Sequence, residues 1–249
     1  MNWSKYSAPQ AFYPLAGRLI PWFAVVAVAL MGVGLYLGFF VAPTDFQQGE
    51  SYRIIFVHVP AAWMSMFLYV VMAIWAGVGM GLNARLSFMM AQAIAPTGAM
   101  FTFLALLTGA MWGKPTWGAW WVWDARLTSE LILLFQYAGV MLLRTSIDDQ
   151  RRADRSSAVF SLVGVVNVPI IYYSVQWWNT LHQGASVSMS TGSKMAATML
   201  MAMLIMTIAF WLYSIAVILA RVRCIVVERD SLPVWDEKPA VSQEVVEVR

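Results

Sequence analysis

The sequence predicts an all-α, multi-pass membrane protein with six transmembrane helices and an outward-facing tryptophan-rich segment. Three observations predict it. Hydrophobic residues make up 60 % of the 249-residue chain and charged residues only 12 %, about half the charge of an ordinary soluble domain. Charge-free apolar runs recur, each long enough for a bilayer, which takes about 20 helical residues. Lysine and arginine gather in every second connection, as the positive-inside rule requires.

Taken in order, the runs are Leu19 to Thr44, Ile54 to Ala84, Leu86 to Gly113, Ser156 to Ser193 and Met195 to Ala220. A further run, Leu127 to Leu143, carries one carboxylate, Glu130. The stretch from Ser156 is too long for one span, so it is expected to leave the membrane near Trp177 and Trp178. Asn179 to Lys194 then forms a loop. Six spans put both termini on one side. On that side lie twelve cations: Lys5, Arg18, Arg85, Arg144, Arg151, Arg152, Arg155, Arg221, Arg223, Arg229, Lys238 and Arg249. The other side holds four: Arg53, Lys114, Arg126 and Lys194. The termini are therefore expected in the cytoplasm.

One membrane domain is expected over residues 1–249, with its six-helix bundle over about 19–222. The first helix reads as an uncleaved anchor, because no convincing A-x-A site precedes a polar region. Residues 223–249, with Pro233 and Pro239 and mixed charge, are expected to form a mobile cytoplasmic tail. The stretch Asp148 to Arg155 reads as a solvated cytoplasmic turn. A single cysteine, Cys224, excludes an internal disulfide, a C-x-x-C pair and a cysteine metal site. No Walker A loop occurs. The net charge of +3 follows from the positive-inside bias, and no basic patch suggests nucleic acid.

Chemistry concentrates on the outer side. Trp112, Trp117, Trp120, Trp121 and Trp123 are five of the thirteen tryptophans. A belt needs fewer, whereas Trp22, Trp63, Trp75 and Trp211 read as belt or packing residues. Each indole can cover roughly 150–250 Å² of a flat ligand. If Trp117 to Asp124 is helical, Trp117, Trp120, Trp121 and Asp124 share one face. Asp124 is equally suited to cap the fourth helix. The only two histidines, His58 and His182, fall in the outer segments on either side of the tryptophans. Pro60, close after His58, is tolerable in the first turn of a helix. Alone, each histidine would be an interfacial residue with a wet tip. Together, beside the tryptophans, they can supply both axial ligands of one haem iron. Arg53 and Arg126 can take the propionates. Each is otherwise a plain flank, and Arg126 can pair with Glu130 one turn on. Passing electrons as a b-type membrane cytochrome is the alternative function. A proton-coupled transporter is less favoured, because no acid or histidine lies in the inner halves of the helices.

Three segments carry a family resemblance: Tyr52-Arg53-Ile54 with His58-Val59-Pro60, Trp112-Gly113-Lys114-Pro115 with Trp117-Gly118-Ala119-Trp120-Trp121-Val122-Trp123-Asp124, and Trp177-Trp178-Asn179-Thr180-Leu181-His182-Gln183-Gly184. The second resembles the WWD motif of haem-handling proteins. With six helices and one histidine on each flank, the chain resembles the CcmC family of cytochrome c maturation. The resemblance implies a non-enzymatic subunit of the bacterial inner membrane, with its site in the periplasm. It implies haem b as transient cargo, with His58 and His182 on the iron. Around the ring it implies Trp112, Trp117, Gly118, Trp120, Trp121, Trp123, Asp124 and Trp178, with Arg53 and Arg126 less firmly assigned. It implies as partners the haem chaperone CcmE, the ABC subunits CcmA and CcmB, the small subunit CcmD and the lipid bilayer.

Overall fold

A computed structural model of the chain describes residues 6–184, 187, 188, 192, 193 and 195–231. Lys5, Lys194, Lys238, Arg249 and the tail beyond Ser231 lie outside the described residues. Helix α1 (Pro9–Tyr36) ends in a π turn over Leu37–Val41. A 3₁₀ turn, Glu50–Ile54, leads into α2 (Ile55–Leu82). Then follow α3 (Arg85–Trp117), α4 (Ala125–Ser146), α5 (Gln150–Gly164), α6 (Asn167–Trp177) and α7 (Ala197–Ser231). The loop after α6 holds a two-residue antiparallel pair, β1 (Val187–Ser188) with β2 (Gly192–Ser193).

Six helical stretches are long and apolar enough to cross a bilayer, with α5 and α6 together forming one of them. Only backbone that closes its own hydrogen bonds survives in hydrocarbon, so irregular structure is confined to the ends. The described chain begins and ends at one end of the bundle. The α1–α2, α3–α4 and α6–α7 connections lie at the other. α2 is the central helix and packs on α3, α5 and α7, while α1 lies outermost, along α7. The last helix runs past Arg223, where the tail was expected to begin. Pro60 lies in the second turn of α2, not its first, because the helix starts at Ile55.

The fifth span breaks at Val165 and Val166. Pro169 has no N–H to offer the carbonyl of Val165 four residues back. Asn167 Nδ2 holds the break by donating to the Ser129 carbonyl at 2.9 Å and to Gln136 Oε1 at 3.4 Å.

The Asp148–Arg155 stretch is not a solvated turn. Asp149 caps α5 by accepting from the Arg152 N–H at 2.7 Å. Asp154 is buried and binds Arg144 and Arg229, because α4, α5 and α7 converge there and a carboxylate left unpaired would be costly.

Glycines permit the close helix contacts. A Cβ on Gly98 would overlap the Tyr137 ring. Tyr137 is fully buried, and its hydroxyl donates to the Ser65 carbonyl at 2.7 Å. Small residues let membrane helices approach in this way. Gly98→Ala should therefore cost about 1–3 kcal/mol and lower the melting temperature in detergent by roughly 2–10 °C. Unchanged melting would contradict the tight α3–α4 seam.

Candidate functional site

The end of the bundle opposite the termini holds a cleft of about 670 Å³. The start of α2, the end of α3, the tryptophan loop, the start of α4 and the α6–α7 loop surround it.

His58 enters from the first turn of α2 and is only 8 % exposed. Its Nδ1 lies 3.0 Å from Thr108 Oγ1 on α3. Thr108 has one hydroxyl proton, which it donates to the Leu104 carbonyl at 2.6 Å. The Thr108 oxygen can then only accept, so His58 Nδ1 carries the proton and Nε2 is a free lone pair. Gly109, next to Thr108, admits the ring: a Cβ there would be 3.0 Å from His58 Cε1.

His182 reaches the same cleft from the α6–α7 loop. Its Nδ1 is 2.7 Å from the Gln183 carbonyl, an acceptor only, so this ring too carries its proton on Nδ1. No hydrogen bond among the described residues engages Nε2 of either histidine. The two ring centroids are 6.3 Å apart, with 36° between the planes. His182 titrates below the ordinary histidine value, first because burial disfavours its charged form, then because Arg126 is near.

Residues 118–124 form an extended loop, not a helix, so the shared helical face expected for Trp117, Trp120, Trp121 and Asp124 does not exist. The reason is local. Gly118 takes a left-handed conformation (φ 80°) that ends α3, its N–H bonding the Lys114 carbonyl at 3.1 Å. Asp124 then starts α4, accepting from the Leu127 N–H at 2.8 Å. The loop folds back over Gly113, where a Cβ would meet the Ala119 carbonyl at 3.0 Å.

Folded in this way, the loop still brings Trp117, Trp120, Trp121 and Asp124 to the cleft, where Trp112 joins them from α3. Trp112 meets His58 edge-on at 5.6 Å, and Trp117 lies 6.1 Å from His182. Trp120 is 58 % exposed and Trp123 76 %, so the rim is open. Arg126 and Glu130 form the floor. They do not close the pair expected from their spacing: Arg126 donates to the Ile171 carbonyl at 2.7 Å, and Glu130 accepts from Ser65 at 2.6 Å.

Four expected residues do not line the cleft. Arg53 donates to Gly38 and Ala42 carbonyls and to Glu50, which fastens the α1–α2 loop. Gly118 is the helix stop. Trp123 packs edge-on against Trp121, and Trp178 against Trp177.

Several positioning residues have no signature in the sequence. Thr180 donates to Asp124 and accepts from the His182 N–H at 3.0 Å, joining the two loops. Gln48 accepts from Trp112 Nε1 at 2.7 Å and donates to Gln183 Oε1 at 3.1 Å. Thr108 becomes a partner of His58 only once α2 and α3 are in register. A threonine–glycine pair inside an apolar helix is the one hint the sequence offers.

Two imidazoles cannot hold a bare metal ion alone, and among the described residues no group of three or more His, Cys, Asp or Glu forms a metal cluster. A metal that brings its own equatorial ligands fits such a pair.

The CcmC family profile, described as heme exporter protein C, matches residues 2–237. The chain belongs to the heme exporter protein C family. It is 53 % identical to heme exporter protein C of Escherichia coli K12 over 182 residues, 73 % of this chain and 74 % of that one. The Bradyrhizobium diazoefficiens member is 49 % identical over 215 residues, covering 86 % of this chain and 81 % of its own. The Haemophilus influenzae member is 43 % identical over 230 residues, covering 92 % and 94 %. Family membership thus extends over the helices and loops that build the cleft.

Proposed function

We propose that this chain holds haem for export during c-type cytochrome biogenesis and passes it to an acceptor protein on the side of the membrane opposite its termini. One observation carries the reading. The only two histidines, 124 positions apart in sequence, meet at 6.3 Å across one tryptophan-lined cleft, with Nε2 of each unengaged by any hydrogen bond among the described residues. One iron between them needs two metal–nitrogen bonds of roughly 2 Å. With the half-width of each ring added, the centroid separation is about 6 Å. Membership in a family described as haem exporters supports the cargo. The lysine and arginine bias supports cytoplasmic termini and a periplasmic cleft.

His58 and His182 are the axial ligands of a b-type haem. Trp112, Trp117, Trp120 and Trp121 cover the ring, and Arg126 is the cation available to a propionate. Filling both axial positions shields the iron from oxygen. Tryptophan contacts hold the ring without touching the iron, so a ligand can be exchanged while the ring stays seated. The exposed Trp120 and Trp123 edge faces the acceptor, the chaperone CcmE. CcmA and CcmB, with CcmD, complete the assembly in the bacterial inner membrane. The chain itself supplies binding and positioning, not catalysis.

Purified protein should carry haem detectable as a pyridine haemochrome. His58→Ala and His182→Ala should each abolish the low-spin bis-imidazole spectrum. Retention of that spectrum in both variants sinks the axial assignment.

Thr108→Val removes the acceptor for His58 Nδ1–H at nearly constant volume. Outer-shell partners of this kind are worth about 10–100-fold in affinity. Haem affinity should fall by that factor, with recovery in Thr108→Ser. Equal affinity in all three proteins would show that Thr108 does not orient the ring.

Ligation needs neutral imidazole. Because the pKa of His182 is lowered, the ring stays neutral to a lower pH than an exposed histidine. Haem occupancy should therefore persist as pH falls through about 6.5 and be lost only below it. A titration whose midpoint lies above that value would contradict the burial argument.

A further inference from the structure

A second cavity lies at the other end of the bundle, the end that carries both termini. Helices α3, α4 and α7 leave a groove of about 750 Å³ between them. Its walls are apolar, with Ala95 and Pro96 from α3, Met141 from α4 and Ile225 from α7. Its polar end is basic: Arg144 and Arg221 line it, with Thr145 in the last turn of α4.

The charges behind the groove do not balance. Arg144 and Arg229 share the single carboxylate of Asp154, and both donate to Gln92 Oε1, at 2.9 and 2.7 Å. Arg144 is about nine-tenths buried, yet its Nε has no hydrogen-bond partner among the described residues. No hydrogen bond or ion pair among the described residues engages Arg221. Among the described residues the other carboxylate acting on Arg144 is Glu228, exposed on α7. Three arginines against two carboxylates leave one positive charge in excess, and it falls on Arg221, half-buried at the membrane end of an apolar groove.

We propose that this groove is a binding site for one anionic phospholipid of the leaflet on the terminal side. The phosphodiester engages Arg144 and Arg221. One acyl chain lies along Ala95, Pro96, Met141 and Ile225. Basic pockets between helices on this side of a membrane suit anionic headgroups. Two arginines at the polar end and apolar walls below them favour a lipid, whose anionic headgroup and acyl chain match both parts of the groove. An acyl chain is thin enough to follow the groove.

The test is native mass spectrometry of the full chain, delipidated in detergent and offered phosphatidylglycerol or phosphatidylcholine. One phosphatidylglycerol should remain bound, with about tenfold preference over phosphatidylcholine, which carries the same phosphodiester but adds a quaternary ammonium that the arginines repel. Arg221→Gln should abolish the preference, and Ala95→Phe should abolish retention of either lipid. Both should leave the haem spectrum unchanged, which confirms folding and separates this site from the cleft. Cys224, the only cysteine, lines the groove, so bound phosphatidylglycerol should slow its labelling by a maleimide. Equal retention of the two lipids, or a preference that survives Arg221→Gln, overturns the proposal. So does displacement of phosphatidylglycerol by inorganic phosphate alone, which would make this a simple anion site. Cross-linking of Cys224 to a partner subunit in the intact complex, with no lipid retained, also overturns it.

Discussion

The far end of the bundle depends on one carboxylate. Asp124 uses one oxygen to cap α4 and the other to accept from Thr180. The first contact decides where the tryptophan loop stops and helix resumes. The second ties that loop to the segment carrying His182, whose N–H rests on the same Thr180 oxygen. A cap is worth about 1 kcal/mol, a small term in a six-span protein. Its effect on geometry is larger, because the two residues it joins are 56 positions apart in sequence. Gln48 makes a similar join on the other side, linking Trp112 to Gln183. The cleft is thus a set of loops fastened by side chains to a rigid helical frame. That frame is rigid because a bilayer admits no unpaired backbone.

Below the cleft the polar groups continue into the core. Ser65 has one hydroxyl proton and two acceptors in reach, the Ala62 carbonyl at 2.8 Å and Glu130 Oε1 at 2.6 Å. Glu130 Oε2 has no donor among the described residues. Arg126, one turn earlier, spends a donor on Ile171, in α6. Arg126 therefore remains fixed by backbone at the cleft floor and is not neutralised at close range by Glu130. An arginine held in this way is available to an anionic group of a ligand, which an arginine closed into an ion pair would not be.

How much of this was legible in the sequence follows from the physics of each part. The spans were legible because burial in hydrocarbon demands long apolar runs, and Leu127 to Leu143 was found despite Glu130. The two histidines and the tryptophans were legible as a coincidence of rare residue types on one side. The shape of the tryptophan segment was not. Periodicity alone cannot separate a helix from a loop over eight residues, and the Gly118 stop and the Asp124 cap outweigh the i, i+3, i+4 spacing. Arg53 was misplaced because charge and side of the membrane say nothing about reach: its Nε and Nη1 donors bind the α1–α2 connection, away from the cleft. Asp154 was read as solvated because it sits in a charged run, and its burial appears only once α4, α5 and α7 pack together. Thr108 could not be found without the α2–α3 register.

The pairing of exposed and buried elements within the cleft bears on how a carrier differs from a resident cofactor site. His58 is buried and held by a side chain, Thr108, on a neighbouring transmembrane helix. His182 sits on a loop and is held only by the carbonyl next to it and by Thr180. Local openings in proteins begin where few buried contacts hold the backbone. The two histidines therefore differ in how easily each can withdraw, and the loop-borne one is the easier to displace. Under the proposed function, two equally rigid ligands would retain the cargo, whereas one fixed and one releasable ligand would let the ring stay on its tryptophan support while an acceptor's own ligand took the vacated position, the step that hand-over requires.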